Sequence, residues 1–196
     1  MPLDRIALIS DVHGNLTALD AVLGDIAERG ITRIANLGDY IGKGPRGQEA
    51  IDRCRETCAV NIRGNWDDFI PVPSADDSPG LQWWRDQLRA DQLDWLANLP
   101  LAHDLVVSGR RIRLFHASAT SVHTRVLRDH PADEFAGMFA TTPLTGAGPA
   151  PTIVGYGDIH SAYIKVRGGR TLFNAGSVGN PLDEPTSVYV VIEGVL

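Results

Sequence analysis

The sequence has little that would place the chain in a membrane, on duplex nucleic acid or in a secretory pathway. No apolar run approaches the roughly 20 residues of a membrane-spanning helix. The first apolar run, residues 6–9, comes directly after the amino terminus, without the cleavage site of a signal peptide. A net charge of −6 over 196 residues argues against binding duplex nucleic acid through counterion release. These absences predict a cytoplasmic protein that binds neither membranes nor duplex nucleic acid.

Cysteine is also scarce, and Cys54 and Cys58 are the only two in the chain. They stand four residues apart on a predicted helix, so both thiols lie along one face of it. Free cysteine is usually buried and behaves as a small apolar residue. We therefore expect both to pack in the core, with a redox or metal-binding pair as the alternative.

The length and composition are those of one globular unit. Hydrophobic residues make up 43% of the chain and charged residues 21%, and 196 residues are enough to bury a substantial core. A stretch rich in proline, serine and aspartate at residues 71–80 precedes a helical pattern at 81–99. We expect a single domain over residues 1–196 with a helical and loop insertion around 68–100. A homo-oligomer remains an open alternative.

Short apolar runs alternate with helical patterns in the first part of the chain. Apolar residues recur at helical spacing at 16–27 and 48–58, and Gly30 marks the end of the first helix. The carboxyl-terminal third instead shows strand and turn patterns at 163–166, 171–173 and 188–192. The remaining predicted strands are residues 6–10, 34–37, 59–62, 112–115 and 153–156.

Each of these five strands runs into a short polar segment. In open α/β sheets, ligand sites gather where strands end at their carboxyl side. Carboxylates, one amide and imidazoles together suit a pair of first-row metal ions, which would clamp a phosphoryl group and lower the pKa of a shared water. The segments are Asp11-Val12-His13, Gly38-Asp39, Gly64-Asn65-Trp66-Asp67, Phe115-His116 and Gly157-Asp158-Ile159-His160.

In this order the segments resemble the motifs of the calcineurin-like metallophosphoesterase superfamily, over nearly the whole chain. The segments 38–45 and 174–181 also look like its small single-domain bacterial and archaeal phosphodiesterase branch. The resemblance implies a four-layer αββα sandwich of two mixed β-sheets flanked by helices. It also implies two divalent ions, with Mn²⁺ favoured over Fe, Ni or Zn, and a phosphate ester or nucleotide as substrate.

The resemblance further implies a role for each matching residue. The first ion would take Asp11, His13, Asp39 and His160, and the second would take Asp39, Asn65, His116 and Asp158. Asp39, Asn65 and His116 would also be the catalytic residues. Asp158 stands where the family usually has histidine, and its anionic oxygen favours a harder ion such as Mn²⁺.

Trp66 is the larger departure from the family pattern. The family's histidine at this position contacts the substrate phosphate and donates a proton to the leaving group. Indole has a single N–H donor and is no acid at neutral pH, so that role is lost or supplied by another group. Some members of the small branch also lack this histidine, and there the resemblance points to diesters over monoesters, so we interpret Trp66 as a change of specificity.

Three further positions are open. His123, in the loop after His116, could contact the substrate or be a surface histidine, and Asn15 could orient a metal ligand or the substrate. Lys43 and Arg125 could contact phosphate, or be solvated charges.

We predict a phosphodiesterase that uses metal-activated hydroxide. The alternatives are a degenerate family member that binds a phosphorylated ligand or a partner without turnover, and a phosphomonoesterase in which His123 is the proton donor.

Overall fold

The computed structural model describes residues 3–195, which form nine strands and six helices. The strands are β1 Leu3–Ile9, β2 Ile34–Asn36, β3 Val60–Asn61, β4 Ala102–Val107, β5 Arg110–Phe115, β6 Ile153–Tyr156, β7 Tyr163–Arg167, β8 Arg170–Asn174 and β9 Val190–Val195. The helices are α1 Leu16–Glu28, α2 Gly47–Thr57, α3 Asn65–Phe69, α4 Pro79–Asp86, α5 Ala90–Ala97 and α6 Ala132–Gly137. Within this range, no helix has both the length and the apolar character to cross a membrane.

The strands form two mixed sheets. One has the order β3-β2-β1-β9, with β9 antiparallel to β1 and the other pairs parallel. The second has the order β4-β5-β6-β8-β7, in which β5, β6 and β8 are parallel and both edge strands are antiparallel. In both sheets, the parallel strands that precede the polar segments end on the same side, so the following loops can meet.

The period of two along β1 explains the layered packing. Ile6 and Leu8 point between the two sheets, where they join Leu114 and Phe173 in a shared core. Ala7 and Ile9 point to the opposite face, where α1 and α2 pack. The outer face of the second sheet is covered by residues that include Phe135 of α6. The expected sandwich of two mixed sheets flanked by helices is confirmed.

Most predicted elements are present, with shifted ends. The predicted helix at residues 81–99 was wrong as a single element, because it is divided into α4 and α5. Helix α4 begins where the Ser78 hydroxyl accepts the N–H of Leu81, and α5 begins where the Gln92 side chain accepts the N–H of Arg89. Strand β4 and helices α3 and α6 were missed, since each is short and lacks a clear period.

The two cysteines lie in the core, as expected. Cys54 is fully buried and Cys58 nearly so, in the cluster between α2 and the first sheet. The Asn36 amide donates to Cys54 Sγ at 3.4 Å. Their contribution is packing under the loops that carry the polar segments.

Candidate metal centre

Backbone hydrogen bonds tie the polar segments together at one end of the two sheets. The Asp11 and His13 N–H groups donate to the carbonyls of Gly38 and Asp39, both at 2.9 Å, which joins the loops after β1 and β2. The Asp158 N–H donates to Asp11 Oδ2 at 3.1 Å and so links the two sheets. The loops are therefore held to each other independently of any ligand.

Five of the candidate ligands adopt a backbone conformation that side chains disfavour. Their φ angles lie between 48° and 66°, in the left-handed region, at a cost of about 1–3 kcal/mol each. Such strain persists only where the surroundings impose it, and it concentrates at functional sites. These residues are Asp11, His13, Asp39, Asp158 and His160.

Asp11, His13 and His160 form a group that we call the first cluster, and their ligand atoms lie within 4.8 Å of one another. His13 Nδ1 lies 3.0 Å from the Ile41 carbonyl, and His160 Nδ1 lies 2.6 Å from the Asn180 carbonyl. A carbonyl only accepts, so each Nδ1 carries a proton. Burial lowers the pKa of His13 to about 3, which keeps that ring neutral.

The Nε2 atoms of His13 and His160 face each other at 3.1 Å. Because the neutral His13 ring carries its proton on Nδ1, its Nε2 presents a lone pair. Asp11 Oδ1 is fully buried, lies 3.1 Å from His160 Nε2, and has no hydrogen-bond partner among residues 3–195. The buried His13 lone pair and Asp11 Oδ1 are expensive to keep without a donor, and a divalent cation held together with His160 would satisfy both. The first cluster therefore fits a metal ion.

Asp39 and His116, together with Asp11, form the second cluster. His116 Nδ1 lies 2.9 Å from the Leu37 carbonyl, and His116 Nε2 lies 3.0 Å from Asn65 Oδ1 and 3.5 Å from Asp39 Oδ1. Burial opposes a charged His116, but Asp39 and the neighbouring carboxylates outweigh it and raise its pKa to about 9. Burial also raises the pKa of Asp39. The second cluster fits a metal ion after it loses the proton that this pair holds.

Asp158 lies beside both clusters, but its carboxylate is paired with an arginine. Arg125 donates to both of its carboxylate oxygens, from Nε at 3.1 Å and from Nη2 at 3.2 Å. Asp158 is 5% exposed, whereas the Arg125 side chain is 59% exposed. An ion at Asp158 would thus have to share the carboxylate with Arg125, or displace it.

Asp67 holds the loop after β2 against α3. Its carboxylate accepts the N–H groups of Asp39 at 2.7 Å, Tyr40 at 3.1 Å and Gly64 at 2.8 Å. Burial raises its pKa to about 6 against these three donors. A Cβ at Gly64 would overlap Asp39 Oδ1, so only glycine permits this approach. The contacts of Asp67 are thus those of a residue that supports the loop carrying Asp39.

Trp66 packs beside the first cluster. Its ring centroid lies 5.7 Å from that of His13, 5.2 Å from Phe69 and 5.3 Å from Trp84. Its backbone N–H donates to Asp39 Oδ1 at 2.9 Å. The indole therefore forms part of an aromatic wall against the loops, in the region where the family's histidine would stand.

His123 and Asn15 have partners outside both clusters. His123 Nε2 lies 2.9 Å from Asp68 Oδ2, and the ring is half exposed. Asn15 caps α1 by accepting the Ala18 N–H, and it donates to the Gly179 carbonyl at 3.0 Å. Asn15 thus fastens the loop after β1 to the segment before β9, and neither residue's contacts in residues 3–195 include a candidate ligand.

Sequence reasoning missed the supports of the histidines. The carbonyls of Ile41, Leu37 and Asn180 select the ring tautomers, yet a carbonyl is present at every residue and has no signature in a sequence. The resemblance of segment 174–181 to the family was the only available signal for Asn180.

Comparisons with known proteins identify the family of this chain. Residues 5–194 match the calcineurin-like phosphoesterase superfamily domain. An uncharacterized protein of Methanocaldococcus jannaschii is 33% identical over 119 residues, which are 58% of this chain and 49% of that protein. The chain therefore spans about half the length of this curated relative.

Two solved structures share the fold. A metallophosphoesterase from Sphaerobacter thermophilus has a TM-score of 0.72 at 24% identity, with 96% of this chain and 82% of that chain covered. A hypothetical protein from Pyrococcus horikoshii OT3 has a TM-score of 0.69 at 18% identity, with 97% and 87% covered. The match over residues 5–194, which includes every candidate ligand, shows that the chain belongs to the calcineurin-like phosphoesterase superfamily, whose members are metal-dependent hydrolases.

Proposed function

We propose that the protein is a phosphodiesterase that binds two divalent ions and hydrolyses a small phosphate diester or a nucleotide. The observation that carries this proposal is the convergence of the His13 Nε2 lone pair and His160 Nε2 on Asp11 Oδ1, which has no hydrogen-bond partner among residues 3–195. A packed core would not keep such a carboxylate oxygen and lone pair together without a donor. The proposal is made for this chain alone and is not carried over from the curated relative, because the matched region is only about half of that protein.

The ligand assignment follows the two clusters. Asp11, His13, Asp39 and His160 would hold the first ion. Asp39 can serve both ions because its two oxygens face different histidines, with Oδ2 3.5 Å from His13 Nε2 and Oδ1 3.5 Å from His116 Nε2. The second ion would take Asp39 and three further residues, which are Asn65, His116 and Asp158.

When bound, two such ions would polarise the phosphoryl oxygens and lower the pKa of an attacking water. The protein's own groups do the rest. Carbonyls hold the His13, His116 and His160 rings with Nε2 directed at the site. Asn65 Oδ1 faces His116 Nε2 at 3.0 Å, so the amide stays beside the ligand atom. Such fixed groups need no rearrangement when the substrate arrives. Manganese is favoured because three of the second ion's four ligands are oxygen donors, two of them carboxylates.

Trp66 limits the range of substrates. Its indole cannot give a proton to a departing alkoxide at neutral pH. Esters with acidic leaving groups depend least on such a proton. The Trp66 ring packs against Phe69 and Trp84, so it occupies the position from which a proton donor would act. We expect activated diesters to be hydrolysed fastest.

The test compares bis-p-nitrophenyl phosphate with p-nitrophenyl phosphate, using protein purified without chelator. We expect the diester to be hydrolysed faster, and elemental analysis to find about two ions per chain. No turnover of either ester with Mn²⁺, Fe²⁺, Ni²⁺ or Zn²⁺ would reject the enzymatic proposal.

A second candidate is a family member that binds a phosphorylated ligand without turnover. The Arg125–Asp158 pair favours it, because a carboxylate engaged on both oxygens is a poorer ligand for a second ion. Thermal stabilisation by orthophosphate in the metal-loaded protein, without hydrolysis of either ester, would support this candidate over the first.

A further inference from the structure

Lys43 reaches the first cluster from a turn on its open side. The residue as a whole is exposed, yet its Nζ lies 3.4 Å from His160 Nε2. Its backbone has a φ of 64°, which a lysine adopts only when its neighbours require it. Lys43 is also one of only two lysines in the chain, the other being Lys165.

Two indoles hold the turn of residues 42–44. A Cβ at Gly42 would overlap the ring of Trp66, so Trp66 packs directly on the turn's backbone. Trp84 Nε1 donates to the Gly44 carbonyl at 3.2 Å, and the Gly44 N–H donates to the His13 carbonyl at 2.8 Å. The conformation of the Lys43 backbone is thus set by helix α4 on one side and by the loop of a candidate ligand on the other.

The contact between Lys43 and His160 cannot persist when a metal ion is bound. His160 Nε2 has one lone pair, and it cannot both accept from Lys43 and bind an ion. A cation beside the ammonium also repels it at this separation. An anion that contacts both the metal ion and the Lys43 ammonium would offset their mutual repulsion. A phosphoryl oxygen has the charge and the acceptor geometry for an ammonium group.

We propose that Lys43, positioned by Trp66 and Trp84, binds a non-bridging oxygen of the substrate phosphate at the first cluster. This inference rests on the proposed function for its substrate. Trp66 then has a positive role, since the residue that removes the family's phosphate-binding histidine also shapes the turn that presents Lys43.

The test measures orthophosphate binding to the metal-loaded protein by calorimetry, together with diester kinetics. Lys43→Met keeps the chain length and removes the charge. We expect about tenfold weaker orthophosphate binding and a KM for bis-p-nitrophenyl phosphate raised by a similar factor, as for the loss of a charged hydrogen bond. Lys43→Arg should retain most of the binding. The matched control is Lys165→Met, because Lys165 Nζ donates to the Arg128 carbonyl away from the site.

Metal affinity provides a readout that is independent of turnover. Removing the ammonium that shares His160 Nε2 should strengthen binding of the first ion in Lys43→Met, by about two- to fivefold for a half-exposed charge. Trp84→Phe keeps an aromatic ring but loses the N–H that donates to Gly44. As a single substitution it should weaken orthophosphate binding, and when combined with Lys43→Met it should have no further effect.

The outcomes separate this inference from the proposed function. If the metal-loaded wild type binds orthophosphate but hydrolyses no ester, the proposed function fails, and weaker binding by Lys43→Met still supports the lysine's role. Unchanged orthophosphate binding in a folded Lys43→Met protein, or no orthophosphate binding by the metal-loaded wild type, would overturn the inference.

Discussion

The first and second clusters differ in how ready they are for a metal ion. In the first, carbonyls hold both imidazoles through Nδ1, burial keeps His13 neutral, and the buried Asp11 Oδ1 has no hydrogen-bond partner among residues 3–195. In the second, His116 has a pKa of about 9 and faces the Asn65 amide oxygen, while Arg125 occupies both oxygens of Asp158. The two metal sites of one centre can thus be made different in two ways, by the protons that their ligands hold and by the charged side chains beside those ligands. We expect the first ion to bind more tightly than the second.

The largest effect should come from Asp39→Asn, which acts on both clusters at once. Asp39 lies within 3.5 Å of His13 and His116 through different oxygens, so removing its charge weakens both ions. We expect diester turnover to fall on the order of 1,000-fold, measured with bis-p-nitrophenyl phosphate and saturating Mn²⁺. Asp20→Asn is the matched control, because Asp20 is an exposed carboxylate paired with Arg53. Turnover retained in Asp39→Asn would remove the shared carboxylate from the proposal.

His13→Gln and His116→Gln should separate the clusters. His13→Gln removes a ligand from the first cluster. We expect it to lower the affinity for the first ion by at least about 100-fold and to leave a protein that binds little metal. His116→Gln should instead reduce the metal content from two ions to one. Elemental analysis after gel filtration distinguishes these results. Equal loss of both ions in both variants would show that the clusters bind cooperatively, not independently.

Metal binding should depend more strongly on pH at the second cluster than at the first, because the pKa of His116 is raised and that of His13 is lowered. Protonated His116 stabilises the metal-free fold, and this contribution is complete below the ordinary histidine pKa and lost as the pH rises through about 9. Below that value, the second ion must displace a proton, so its affinity should rise by up to about tenfold per pH unit. The first ion should respond less, because His13 is already neutral. Calorimetry in buffers of different ionisation enthalpy counts the protons released, and a count of zero for the second ion would contradict this assignment.

Arg125→Ala should give the smallest effect. It frees Asp158 from a pair whose arginine is 59% exposed, so solvent already weakens the interaction. We expect affinity for the second ion to rise by about two- to fivefold, with Arg128→Ala as an exposed control. A decrease would indicate that Arg125 orients Asp158 as a ligand instead of competing for it.

Much of the fold could be predicted because its signals are local. The run at residues 153–156 is β6 as predicted, and the alternation in β1 reports its two buried faces. The boundary between α4 and α5 could not be predicted in the same way, because it depends on the Gln92 side chain accepting the Arg89 N–H inside a continuous apolar pattern. The single domain with an insertion around residues 68–100 remains a prediction, as does the substrate role of His123 and Asn15.

The amino-acid sequence alone determined the family, the strand ends at which the polar segments stand, and the residue types available as ligands. These follow from short-range pattern and order along the chain. Only the tertiary structure decided which nitrogen of each histidine is free, that Asp158 is paired with Arg125, and that Lys43 reaches His160 from a turn held by Trp66 and Trp84. Protonation and pairing depend on the carbonyls and charges brought within about 3 Å by distant parts of the chain, and no local pattern records those distances.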